Sequence, residues 1–422
     1  MQWAIGIGLL EGSIKFMKKK NALLFPILAL AAVLLCFAYT CGIKSPARPV
    51  SLPAEETSSG RNPQHEAEKA AASPSQASAP APVKPEDEKS ANSLRIVATG
   101  DIFMGRGTEF WLKKQGKTFI YPFEDIAALL KKGDIIFGNL EAPLTASAKS
   151  LADIDKPGGK YALKNPPEAL KGIKYAGFNL LNLANNHMLD YYDTGLYDTL
   201  DALEKNGIAH AGAGKDIDEA RKPAIIEKNG LKIGLLSYTD MAEVVYKGNP
   251  PLSFAAEKNK AGVAPRNAAY IKEDIDKLRN RVDILLVSLH WGIEYCADLA
   301  PGQTEFAHSL IDQGADAVIG HHPHHIKGVE VYKGKPIIYS LGNFISDQAD
   351  PANQEGFFID MTYAGKNLKT MEAIPIKILM KSRIVPLSGD EATALLAKIY
   401  KISTNLGTKC QIKDGKVAFD IK

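Results

Sequence analysis

From Leu94 onward, short apolar runs alternate with amphipathic stretches. The runs are Arg95–Gly100, Asp134–Gly138, Asn179–Ala184, Lys232–Tyr238, Asp283–Leu289, Ala315–Gly320 and Pro336–Leu341. Several are apolar without interruption, the pattern of strands buried on both faces. Helical periods lie between them. Over Tyr192–Lys205, Leu196, Leu200 and Leu203 share one face and Gly207 supplies a stop. Asn267–Arg281 is a second such stretch. Asn229-Gly230, between Ile225-Ile226 and the run Ile233–Leu236, signals a tight hairpin, and Gly334 and Gly365 sit in similar turns. The elements predict an α/β domain with mixed sheets and helices outside, not an all-parallel barrel. No internal repeat is visible. After about Lys381 the pattern weakens, and a small helix and tail are expected over 381–422.

The first ninety residues have a different texture. Ala22–Cys41 is a stretch of 20 residues without a charge, preceded by Lys18, Lys19 and Lys20. As a helix it would reach about 30 Å, enough to cross a hydrocarbon core. The basic flank predicts a cytoplasmic N-terminus (1–21) and an outward-facing remainder. Met17 before the three lysines reads as the start of a signal sequence. Ala38-Tyr39-Thr40 is a poor cleavage site, so a signal-anchor over 22–41 is expected, with a lipoprotein carried on Cys41 as the alternative. The linker that follows (42–93) holds eight prolines between Ser45 and Asn92 and no Phe, Tyr or Trp. It cannot bury enough surface to offset its ordering entropy and is expected to be a disordered tether. The folded domain is then 94–380.

Composition narrows the partners. With 51 basic and 48 acidic residues the formal charge is +3, which gives no drive towards nucleic acid. The four cysteines (Cys36, Cys41, Cys296 and Cys410) form no CxxC pair, so a zinc ribbon is excluded. A bridge between Cys296 and Cys410 is possible in an oxidising compartment, but none is expected.

The chemistry sits after the apolar runs. Gly100-Asp101, Gly138-Asn139-Leu140-Glu141, Ala184-Asn185-Asn186-His187, Leu289-His290-Trp291-Gly292 and Gly320 to His325 each close one of them. In open α/β sheets ligands bind beyond the carboxyl ends of strands, so these clusters can converge. Carboxylate, amide oxygen and imidazole together suit Mn, Fe or Zn. Each piece alone has a structural reading: a turn for Gly-Asp, a cap for Asn139, a satisfied core histidine for His290. The run His321–His325 is harder to satisfy that way, with four imidazoles in five positions. His322 and His324 would project to one side of an extended segment.

In that order, these strings resemble the calcineurin-like metallophosphoesterases, and more closely the CapA family of poly-γ-glutamate capsule biosynthesis proteins. Asp190, Glu294-Tyr295 and Ser340-Leu341-Gly342-Asn343-Phe344 extend the likeness, which runs from about Leu94 to about Asp360. The resemblance implies a four-layer sandwich of two mixed β-sheets flanked by helices. It implies one or two divalent ions (Mn, Fe or Zn) held by Asp101, Asn139, Glu141, Asn186, His290, His322 and His324, with His321 and His325 in reserve. Asp101 and His187 would be catalytic, His187 as general acid. Arg106 and Glu294 would contact an anionic polymer or phosphoester substrate, though Arg106 fits an ordinary surface ion pair equally well. Two departures stand out: Phe103 occupies a place where phosphoesterases carry a histidine, and Asn139 replaces a bridging aspartate, with Glu141 or Glu294 as compensation. The function implied is membrane-anchored, extracytoplasmic work in poly-γ-glutamate biosynthesis or export, as a metal-dependent hydrolase or transferase. The alternatives are a non-catalytic accessory subunit binding the anionic polymer or the capsule synthase, and an extracellular metallophosphatase unrelated to capsule.

Overall fold

The structure is a computed structural model and describes residues 93–151, 162–244 and 252–422. The expected anchor, Cys41 and the linker lie outside the described residues. Among the described residues no helix is long and apolar enough to cross a membrane.

The strands are β1 (Ser93–Ile102), β2 (Ile135–Leu140), β3 (Leu180–Asn182), β4 (Ala209–Ala211), β5 (Ala213–Gly214), β6 (Ala224–Lys228), β7 (Leu231–Thr239), β8 (Gly262–Val263), β9 (Ile284–His290), β10 (Ala317–His321), β11 (Val329–Tyr332), β12 (Lys335–Ile338), β13 (Asn343–Ile345), β14 (Glu355–Ala364), β15 (Asn367–Leu379), β16 (Arg383–Pro386), β17 (Cys410–Lys413) and β18 (Lys416–Phe419). The helices of two turns or more are α1 (Arg106–Lys114), α2 (Ala169–Ala176), α3 (Tyr192–Lys205), α4 (Ala268–Leu278), α5 (Gln303–Asp312) and α6 (Gly389–Thr404). One sheet runs β17-β18-β15-β14-β1-β2-β3-β4, with β13 beside β1 and β16 beside β15; a second runs β11-β12-β10-β9-β7-β6. Both are mixed: β1 to β4 pair in parallel while β14 is antiparallel to β1, and β7, β9, β10 and β12 are parallel while β6 and β11 are antiparallel.

Period-two alternation distributes the core. On β1, Ile96 and Ala98 enter the core shared with Ile284, Leu286, Ala317 and Ile319 of the other sheet, and Val97 enters an outer one. That outer core is closed by Ile173 of α2 and by Leu196, Leu200 and Leu203 of α3. On the opposite side Leu285, Val287 and Leu289 pack against Ile271 and Ile275 of α4 and Leu310 of α5. The sequence therefore builds helices, sheet, sheet and helices. The Asn229-Gly230 turn joins β6 to β7 with φ of 51° and 73°, as a hairpin of mirror-image type requires.

The C-terminal segment is more than a small helix and tail. Beyond Lys381, β16 pairs with β15, α6 packs Leu395, Leu396 and Ile399 on the inter-sheet core, and β18 pairs with β15. Asp414-Gly415 is a turn signal of the same kind as Asn229-Gly230, and Val417 and Phe419 alternate inward. Cys410 is a free thiol, so no Cys296–Cys410 bridge forms.

Candidate metal centre

Five parallel strands end at one place. Asp101 lies opposite Asn139 in the β1–β2 register, and His290 lies opposite His321 in β9–β10. The β1–β2 register slips between Ala98 and Asp101, a bulge of the kind that re-aims a side chain. Two glycines allow the crowding: a Cβ on Gly100 would stand 1.9 Å from the Gly342 carbonyl oxygen, and one on Gly320 would stand 2.1 Å from that of Tyr339.

Asp101, Asn139, Glu141, His290, His321, His322 and His324 are all buried. His290 Nε2 lies 3.6 Å from Glu141 Oε1 and 2.7 Å from Asn186 Oδ1. His324 Nδ1 lies 3.7 Å from Asp101 Oδ2 and 3.8 Å from Glu141 Oε2, and its Nε2 is 3.5 Å from Glu294 Oε1. The rings of His290 and His322 are 4.7 Å apart. Two donor groups result, Glu141–His290–His322 and Asp101–Glu141–His324, each with ligand atoms within 4.8 Å of one another. Glu141 belongs to both.

The electrostatics are those of ligands held out of water. Burial and the Asp101 charge push Glu141 well above the usual carboxylate range. Burial raises Asp101 as well, but the imidazoles of His321 and His324 and the Asn139 amide leave it below its ordinary value. Burial and the neighbouring imidazoles push His290 well down, and the same causes bring His322 to about 4. His324 goes the other way: against its burial, Glu141, Glu294 and Asp101 raise it to about 9. Despite this crowding, among the described residues Glu141 Oε1 and His322 Nδ1 have no hydrogen-bond partner, and the nearest carboxylate oxygen to His321 Nδ1, Asp101 Oδ1, stands 3.3 Å away. Buried polar atoms are rarely left so. A carboxylate and an imidazole aimed at a common space without protein partners fit a borderline divalent cation.

The remaining expected residues line a cavity of about 410 Å³ beside the centre, with Phe103, Arg106, Glu141, Asn186, His187 and Glu294 in its wall. His187 Nδ1 pairs with Asp190 Oδ2 at 2.7 Å. The Arg106 guanidinium pairs with Asp347 at 2.7 Å, the surface ion pair that stood as its other reading. His325 is half-buried with its ring 6.5 Å from that of Tyr295, outside both donor groups. His322 and His324 do converge, with rings 6.3 Å apart, but not from an extended segment: their φ values are 98° and 58°. Asn182, whose side chain reaches Asn139, escaped the sequence reading, although an asparagine inside an apolar run was itself a signal. Tyr295 and Lys327 were likewise unassigned. The ring of Tyr295 lies 5.4 Å from that of His324.

Two mixed sheets with a buried carboxylate–imidazole centre at their strand ends define an α/β protein with a candidate divalent-metal site. Residues 95–348 match the family described as bacterial capsule synthesis protein PGA_cap. The chain is 32% identical over 323 residues to the PGA biosynthesis protein CapA of Bacillus subtilis, covering 76% of this chain and 81% of that one. It is 30% identical over 343 residues to the capsule biosynthesis protein CapA of Bacillus anthracis, covering 80% and 79%. Among solved structures, a putative 5'-nucleotidase from Staphylococcus aureus in complex with alpha-ketoglutarate aligns with a TM-score of 0.39 at 12% identity, over 75% of this chain and 58% of that one. The chain belongs to the PGA_cap family of bacterial capsule synthesis proteins, and its relatives support a role in poly-γ-glutamate capsule biosynthesis.

Proposed function

We propose that this chain is a membrane-anchored, extracytoplasmic capsule protein with a divalent-metal-dependent hydrolase or transferase site of the calcineurin-like metallophosphoesterase type. Its substrate class is an anionic polymer, poly-γ-glutamate, or a phosphoester precursor of it. The observation that carries the reading is the set of buried, unpartnered donors on Glu141 and His322 within the two overlapping ligand groups.

Asp101, Glu141, His290, His322 and His324 would hold Mn, Fe or Zn. When bound, such an ion supplies Lewis-acid polarisation of a carbonyl or phosphoryl oxygen and a water of lowered pKa. Everything else falls to the chain's own groups. His187 lines the cavity, and the Asp190 carboxylate accepts its Nδ1–H, leaving Nε2 to hand a proton to a leaving group. Arg106 has donors beyond those given to Asp347 and would meet a substrate carboxylate or phosphate. Phe103 and Leu163 keep that part of the wall apolar. The anchor and tether would hold the domain away from the bilayer, beside the synthase.

The test is elemental analysis of the purified full chain, with His322→Ala/His324→Ala as control, followed by assays on a generic phosphoester and on γ-glutamyl amides. Stoichiometric metal lost in the control, with turnover abolished by Asp101→Ala, is expected. A metal-free protein under all loading conditions would overturn the catalytic reading and leave the accessory subunit. Turnover confined to phosphoesters would favour a metallophosphatase without a capsule substrate.

A further inference from the structure

Asp101 stands between two buried asparagines in the sheet. Asn139 of β2 is its register partner on one side and Asn343 of β13 on the other. Their hydrogen bonds fix which end of each amide faces the centre.

Asn182 Oδ1 accepts the N–H of Ala184 at 2.9 Å, so Nδ2 is the end that reaches Asn139 Oδ1, also at 2.9 Å. Asn185 Oδ1 accepts the N–H of His187 at 3.1 Å and its Nδ2 donates to the Leu140 carbonyl at 2.9 Å. That same nitrogen lies 3.3 Å from Asn139 Oδ1. Backbone groups thus set both neighbours, and turning Asn139 around would oppose N–H to N–H twice. Its oxygen is held by two donors. Its nitrogen faces Asp101 Oδ1 at 2.7 Å and His290 Nδ1 at 3.2 Å. An amide nitrogen offers a cation nothing.

Asn343 is fixed the opposite way. Its Nδ2 donates to the Asn353 carbonyl at 2.8 Å and to Gln348 Oε1 at 3.1 Å. Oδ1 is therefore the inward end, 3.0 Å from His324 Nδ1, which itself faces Asp101 and Glu141. Asn343 is 1% exposed.

We infer that Asn343 Oδ1 is a ligand of the cation position formed by Asp101, Glu141 and His324, and that Asn139 is a positioning residue that holds Asp101. This rests on the metal reading above.

The experiment loads the chelator-stripped full chain, in detergent, with Co²⁺ and follows visible absorption, which reports ligand number and type, together with affinity. Asn343→Ser is expected to weaken cobalt binding by about 100-fold and to change the spectrum of the bound ion. Asn343→Asp, which puts charge on an oxygen already aimed inward, is expected to restore or tighten binding. Asn139→Ser is expected to weaken binding by about tenfold, the lower end of what loss of an orienting contact costs, with the spectrum unchanged. The inference fails if Asn139→Ser alters the spectrum and Asn343→Ser does not. Should Asn343→Ser fail to fold by circular dichroism, Asn343→Asp decides: unchanged or weaker binding overturns the assignment. No cobalt in the wild-type chain would sink the metal reading itself, and this inference with it.

Discussion

Lys327 is 1% exposed, and among the described residues its Nζ has no hydrogen-bond partner. Burial holds its pKa down to about 8 from an ordinary 10.5, with Asp298 and Asp240 opposing the fall. At about 1.4 kcal/mol per pH unit, that gap makes the ammonium cost the fold about 3 kcal/mol. Lys327→Met keeps most of the length and an apolar stem and removes the charge. At pH 7 the variant should be more stable than the wild type by about 1–3 kcal/mol, the lower figure allowing for imperfect packing of the methionine.

The pH dependence makes this specific. Below the folded pKa both states carry the proton, so the penalty is complete and constant. Between about pH 8 and 10.5 the unfolded chain binds a proton that the folded chain has shed, and wild-type stability rises with pH relative to the variant. Above that window both are neutral and the difference closes. Guanidinium unfolding of both proteins at pH 7, 9 and 11 measures it, and the difference between them cancels tyrosine titration. A variant less stable at pH 7, or a difference that does not shrink by pH 11, would refute the reasoning: the ammonium would then be partnered, by buried water or a bound anion.

Two further outcomes are expected. Gly320→Ala puts a Cβ 2.1 Å from the Tyr339 carbonyl oxygen and 2.7 Å from Trp291 Nε1. It should destabilise by about 2 kcal/mol, read as a lower denaturation midpoint, and full retention of stability would show that β10 and the strands around it can part. Asp190→Asn removes the carboxylate charge beside His187 Nδ1–H while leaving an amide oxygen for Leu163 N and for that N–H, both of which now meet Asp190 Oδ2 at 2.7 Å. Turnover of whichever substrate the activity assays identify should fall at least about tenfold with metal content unchanged; equal turnover would remove His187 from the proton path.

Helix existence and the strand-end clusters were legible because both follow from local pattern. Tyr192–Lys205 is a helix over those same residues, and the donors of both candidate groups stand in strings that end apolar runs. What stayed hidden depends on the direction of a side chain rather than its place. Asn139 and Asn343 are the same residue type and both stand in register with Asp101, yet neighbours fixed by Ala184, His187 and Asn353 turn one amide nitrogen inward and the other outward. No spacing rule carries that. The C-terminal hairpin was missed for another reason: its strands are four residues each, too short for alternation to rise above noise, and only the Asp414-Gly415 turn announces them.

The backbone at the centre is also informative. His322 and His324 adopt φ of 98° and 58°, where residues with a Cβ are disfavoured. Each such residue costs about 1–3 kcal/mol and persists only where its surroundings hold it. Here Asp101 Oδ2 meets the His322 amide at 3.4 Å, Asn343 meets the His324 ring, and Gly342, at φ of 70°, lets its carbonyl approach Gly100. A purely structural turn at this place would use glycine and lose nothing. Two imidazoles kept there against that strain, with a buried nitrogen of His322 left unpartnered among the described residues, fit the metal centre proposed above, where a bound ion would return the energy on binding. The same strain predicts that loading the centre raises the unfolding temperature of the wild-type chain more than that of His322→Gly, in which the backbone at position 322 is relieved and the donor is gone.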